Sequence, residues 1–116
     1  MIKSVGIVGG GTMGMGIAQT LAQQGLPITI CDLDLNILNQ NLERTSKNLA
    51  KLVERQKMNS DQAQNTLQLI SLSDSMKDIA NNDLIIEAIF EDINIKKDLF
   101  TKLDSLCPPN TILATN

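Results

Sequence analysis

The sequence predicts an α/β protein: a doubly wound parallel sheet in three layers, helix on sheet on helix. Two observations carry this, and the composition is no obstacle to it. Short apolar runs alternate with longer segments of helical period along all 116 residues. A cluster of three glycines, Gly9-Gly10-Gly11, joins the first run to the first helical segment. The apolar residues, 42% of the chain, are almost all aliphatic, with two Phe and no Tyr or Trp. Strands that alternate with helices must be joined by crossovers, and crossovers pair strands in parallel with helices on both faces. The length fits one domain with one ordinary core.

Ser4 to Val8 is the first strand, short and apolar, ending in the glycines. From Thr12 to Gln24 the period becomes helical, with Met13, Ile17 and Leu21 at steps of four and Ala18 and Ala22 beside them. Gly25 ends this helix, as a residue that tolerates positive φ. Leu26 to Cys31 is β-branched and bounded by Asp32, which predicts a second strand. Asp34 can cap a long helix over about 35–57, with Leu35, Leu38, Leu42, Thr45, Leu49 and Leu52 on one stripe. A shorter helix follows Ser60, with Ala63, Leu67 and Ile70 on one face. Ile70 to Ser73 is a third strand, and 74–80 one or two helical turns. Leu84 to Ile89 is the fourth strand. Asp92 can cap a helix to Leu106, with Leu99, Leu103 and Leu106 facing inward and Phe100 beside them. Cys107-Pro108-Pro109-Asn110 breaks it, and Thr111 to Ala114 begins a fifth strand. A parallel sheet rarely ends there without a covering helix, so the fold is expected to be truncated after its fifth strand.

Composition excludes several functions. The chain has no His, so neither His–Asp–Ser nor Cys–His chemistry can run within it, and no His-based zinc site can form. Without aromatic pairs there is no stacking surface for RNA bases. A net charge of −3 argues against binding a nucleic-acid backbone. Cys31 and Cys107 lie 76 positions apart, with no metal-ligand spacing, and read as two buried free thiols. No signal peptide and no 18-residue apolar span is present. A soluble, cytoplasmic protein with no membrane partner is expected.

Gly9-Gly10-Gly11-Thr12-Met13-Gly14 satisfies G-x-G-x-x-G, in the context that gives the pattern meaning: after a strand and opening a helix. Gly9 permits the tight turn. Gly11 lets the backbone approach a pyrophosphate, and Gly14 allows close helix–strand packing. The helix dipole and the N–H groups at its start favour the phosphates. Gly16 reads as a further small packing residue. Asp32 stands 18 residues past Gly14, at the end of the second strand. A carboxylate there can accept hydrogen bonds from the adenosine ribose and would repel a 2′-phosphate. No Arg or Lys occurs in Asp32-Leu33-Asp34-Leu35-Asn36 to accommodate one, which favours NAD over NADP. The fold class is thus a Rossmann-type sheet. FAD uses the same fingerprint, and the plainer alternative is a glycine turn with Asp32 capping the next helix.

Two further stretches add a family resemblance. Val5 to Gln19 resembles the opening of the 3-hydroxyacyl-CoA dehydrogenases. Asp83 to Asp92, on to Lys96-Lys97-Asp98-Leu99-Phe100, is similar to their fourth strand and following helix, and Cys107 to Asn116 to their fifth strand. Among them the bacterial 3-hydroxybutyryl-CoA dehydrogenases are the nearest in character. The resemblance implies NAD binding by the glycine loop and Asp32, with Glu91 and Lys96 near the nicotinamide ribose. From the residues alone, Lys96 is a solvated helix lysine and Glu91 an acid complementing a helix start. Glu87 is expected near the carboxyl end of its strand, where such sheets bind ligands, in a structural or a ligand-contacting role.

Arg44, Lys47, Lys51 and Arg55 form one basic stripe on the long helix, which spacing alone reads as a solvated face. The resemblance implies that this helix and the turn after it project toward CoA, with Arg55 matching a basic position. Where the family commonly has Ser, this chain has Asn48. The resemblance further implies an acyl-CoA substrate, a homodimeric parent, and a catalytic His–Glu pair and carboxy-terminal helical domain beyond this sequence. Residues 1–116 are then the amino-terminal part of an NAD-binding domain. A self-contained, non-catalytic dinucleotide-binding module is the alternative.

Overall fold

The computed structural model describes residues 2–88, 102, 105–107 and 112–115. Five strands, β1 (Val5–Val8), β2 (Ile28–Cys31), β3 (Ile70–Ser73), β4 (Leu84–Glu87) and β5 (Ile112–Thr115), form one sheet in the order β3-β2-β1-β4-β5. Every neighbouring pair is parallel. Helices α1 (Thr12–Gln23), α2 (Leu35–Glu54) and α3 (Ser60–Gln68) and a 3-10 turn (Met76–Asp78) lie between strands. The turn is the shorter outcome of the helix expected over 74–80. Most of the helix expected from Asp92 lies outside the described residues.

The sheet sorts its side chains by alternation. Val5, Ile7, Ile28, Ile30 and Ile70 pack with Met15, Ala18 and Ala22 of α1 and Leu38 of α2. Val8, Cys31 and Ile85 face the other side, where Ile79, Met76 and Cys107 cover them. Burying a Leu or Ile such as Leu38 or Ile79, both 0% exposed, contributes roughly 1.5–3 kcal/mol. Cys31 is buried as expected; Cys107 is only half-buried.

The stripe of α1 differs from the expected one. Met15, Ala18 and Ala22 are buried, Ile17 and Leu21 half-buried, and Met13 is 58% exposed. The cause is distance: a Cβ on Gly14 would stand 1.9 Å from the carbonyl oxygen of Gly9. No side chain fits at Gly14; Ala18 and Ala22 continue its line at steps of four, Met15 packs beside them in the core, and Ile17 and Leu21 stand on the flanks. Leu35, at the first position of α2, is likewise 39% exposed, while Leu38, Thr45 and Leu49 carry the buried stripe.

Both long helices end in the same way. Gly25 at φ +91° follows α1, and its N–H donates to the Ala22 carbonyl while that of Leu26 donates to Leu21. Gln56 at φ +59° follows α2, with Gln56 bonded to Val53 and Lys57 to Leu52. These are Schellman closures, which satisfy the last carbonyls of a helix. Gln56 therefore stops α2 at Glu54, short of the expected end. On α3, Thr66 is buried and Ala63 and Leu67 half-buried.

Candidate dinucleotide site

The strand order runs outward from β1 in both directions, so the switch point lies between β1 and β4. The carboxyl ends of strands at such a point form the ligand crevice of an open parallel sheet. The glycine loop occupies that edge. Gly9 takes φ +109°, and its N–H donates to the Cys31 carbonyl at 2.9 Å. Gly11 precedes α1 in an extended conformation, and a Cβ there would meet nothing within 4 Å. No side chain caps α1, and its first turn holds no acid. An uncapped helix start with open space before it suits an anion.

Gly10, expected to bind NAD as part of the glycine loop, is held at both of its backbone polar groups. Its N–H donates to Asp32 Oδ2 at 2.8 Å, and its carbonyl accepts from Asn41 Nδ2 at 2.6 Å. A Cβ on Gly10 would lie 2.0 Å from Leu38 Cδ2 of α2. Gly16, expected to serve packing, is exposed, and a Cβ there would meet nothing within 4 Å. It opens instead on a pocket of about 140 Å³ between α1 and α2, bordered also by Thr12, Gln19, Asn41, Arg44 and Asn48.

Asp32 directly follows β2 and is half-buried, and its Oδ1 accepts from the Asp34 N–H at 3.1 Å. The cap of α2 is Asp34, whose Oδ1 accepts from Asn36 and Ile37 at 3.0 and 3.3 Å. Asp32 therefore does not cap that helix. Beside it a cleft of about 250 Å³ is bordered by Val8, Leu33 and Met76. Leu33 is 94% exposed, an apolar side chain held open next to a carboxylate. Apolar walls suit a heteroaromatic base, and the carboxylate suits the hydroxyls of its ribose. With the open loop and the uncapped helix, these residues fit NAD.

Lys77 and Lys102 border the same cleft. The window around Asp32 contains no base, and only the fold brings these two to it. Cys31, beneath, is a free thiol pushed up to about 11, by burial first and then by the charges of Asp32, Asp74 and Asp78, against Lys102. At neutral pH it is a protonated, poorly nucleophilic core residue.

Glu87 stands at the carboxyl end of β4, in register with Val8 and Thr115, and is 0% exposed. It interacts with another group of the protein. Arg55 is exposed at the far end of the 20-residue α2, about 30 Å along the helix from Asp34, and is not brought to the glycine loop. Arg44, Lys47 and Lys51 are exposed too, and Lys47 pairs with Glu43 at 3.8 Å. Glu91 and Lys96 lie outside the described residues.

The family model of the 3-hydroxyacyl-CoA dehydrogenase NAD binding domain matches residues 4–116. The chain belongs to the 3-hydroxyacyl-CoA dehydrogenase family. A probable 3-hydroxybutyryl-CoA dehydrogenase of Bacillus subtilis is 36% identical over 115 residues, 99% of this chain and 40% of the relative. A 3-hydroxybutyryl-CoA dehydrogenase of Clostridioides difficile is 42% identical over 110 residues, 95% of this chain and 39% of the relative. The crystal structure of 3-hydroxybutyryl-CoA dehydrogenase from Escherichia coli K12 superposes with a TM-score of 0.98 at 33% identity, covering all of this chain and 25% of that one. The chain thus spans about 40% of the length of the two bacterial dehydrogenases. The matched region is the family's NAD-binding domain, the cofactor expected from the glycine loop and Asp32. Among the described residues no helix is long and apolar enough to cross a membrane.

Proposed function

We propose that residues 1–116 are the amino-terminal, cofactor-holding part of an NAD-dependent 3-hydroxyacyl-CoA dehydrogenase acting on short acyl chains such as 3-hydroxybutyryl-CoA. The match of residues 4–116 to that family's NAD binding domain carries this reading. Bound NAD supplies the hydride acceptor at the 3-hydroxyl carbon. The chain's own residues bind and orient it. Gly9, Gly10, Gly11, Thr12, Met13 and Gly14 shape the loop and helix start that take the pyrophosphate. Asp32 accepts from the adenosine ribose, and the cleft beside Leu33 and Met76 takes the base. Glu91 and Lys96 serve the nicotinamide ribose, and Arg55 meets the phosphates of CoA.

With no His in these residues, the proton acceptor for the substrate hydroxyl belongs in this reading to the part of the protein beyond them, with a helical domain and the homodimer contact. The compartment is the cytoplasm. The test is oxidation of NADH by acetoacetyl-CoA in the whole protein, followed by absorbance. Turnover with NADH above that with NADPH is expected. Tight NADH binding with no turnover on any 3-oxoacyl-CoA would instead make the chain a binding module.

A further inference from the structure

We propose that Asn41 of α2 is a positioning residue for the cofactor's pyrophosphate, acting through the glycine loop. The inference rests on the dinucleotide reading above. Gly10 is joined to its neighbours by two planar peptides, and the structure grips both. The N–H of Gly10 donates to Asp32 Oδ2 at 2.8 Å, which fixes the plane that carries the Gly9 carbonyl. That carbonyl is the atom against which Gly14 of α1 is packed. The carbonyl of Gly10 accepts from Asn41 Nδ2 at 2.6 Å, which fixes the second plane. In a trans peptide the next N–H points opposite the carbonyl. Holding the oxygen of Gly10 toward α2 therefore aims the N–H of Gly11 away from α2. Gly11 is where an added Cβ meets open space, just before the uncapped start of α1.

Leu38, one turn earlier on α2, closes on the Cα of Gly10 and leaves the residue no lateral freedom. Asn41 is half-buried, so its bond is partly shielded from competing water. A three-glycine run is otherwise the most mobile backbone available. A ligand that had to freeze it would lose affinity to the ordering cost; the clamp meets that cost when the protein folds. The side chain does this without touching the cofactor.

The test is ligand binding to the whole protein that carries these residues, in Asn41→Ala and Asn41→Asp variants whose folding is checked by circular dichroism and thermal melting. Aspartate keeps the shape of asparagine and replaces the donor with an acceptor facing the Gly10 oxygen. NADH and ADP-ribose, which contain the pyrophosphate, are expected to bind about tenfold more weakly to Asn41→Ala, the loss of one shielded hydrogen bond, and more weakly still to Asn41→Asp. Adenosine, which lacks the pyrophosphate, should compete equally well against all three proteins. Unchanged ADP-ribose affinity in either folded variant overturns the proposal. Equal losses for adenosine and ADP-ribose overturn it too, since that is the signature of general loosening. Failure of the unaltered protein to bind NADH overturns the dinucleotide reading and this proposal together.

Discussion

Helices α1 and α2 start alike and are finished differently. Each follows a strand of the same parallel sheet at its carboxyl edge, and each begins with N–H groups that lack helical partners. At α2 the chain supplies its own anion: the Asp34 carboxylate accepts from Asn36 and Ile37. At α1 the corresponding position is Gly11, with no side chain to offer and space in front of it. Helix α3 is closed more fully still, with Asn59 and Gln62 exchanging bonds at 2.8 and 3.0 Å. The same physical need is met by side chains at two helix starts and by none at the third, where the proposed pyrophosphate site lies. Stability and binding should therefore separate between them.

The sharpest way to break the contrast is to close α1 as α2 is closed. Gly11 has φ −72°, which any residue can adopt. Gly11→Asp should keep or raise thermal stability by a few tenths of a kcal/mol. It should also weaken NADH binding about a hundredfold, because a carboxylate then occupies the place of the phosphates. Melting and fluorescence titration on the same sample read both effects. A variant that still binds NADH would show that the open start is not the phosphate site.

Asp32→Arg tests the other end of the cofactor. Loss of charge-assisted bonds to the ribose should cost about 1.5–3 kcal/mol in NADH binding. Preference should move toward NADPH, helped by Lys77 and Lys102 in the same cleft. A ratio of NADH to NADPH affinity equal to that of the unaltered protein would remove Asp32 from the ribose role. The smallest effect belongs to the closed start. Asp34→Ala should lower stability by about 1 kcal/mol and leave the dissociation constant for NADH where it was. Loss of binding without loss of stability would reverse the roles assigned to the two ends.

Features encoded by neighbours in the chain were legible before the fold. The third strand, Ile70 to Ser73, is where its residues predict it. Asp34 caps as expected, because a cap bonds to N–H groups two and three residues on. Gly14 meets the strand loop because the motif encodes that contact. The α3 capping box was also within reach, since Asn and Gln stand at the required spacing of three. What could not be read depends on long-range approach. The grip of Asn41 on Gly10 spans 31 positions, with no local pattern to announce it. Lys77 and Lys102 reach the Asp32 cleft only through the crossovers. The stripe of α1 departs from the expected one because hydrophobic size suggests depth, whereas the approach of Gly14 to the Gly9 carbonyl brings Gly14, Ala18 and Ala22, with Met15 beside them, against the sheet.

The strand order has a consequence for how the chain acquires its structure. The central strand β1 finds one neighbour early, Val5 pairing with Ile28, and the other late, Val5 pairing with Leu84. During synthesis, one edge of the most buried strand stays open until the fourth strand has left the ribosome. An open apolar edge is a template for a wrong partner, and pairings this distant in sequence form slowly. The segment Val5–Val8 is therefore where a nascent chain of this kind is most exposed to aggregation, and Leu84–Glu87 is the segment whose arrival ends that exposure.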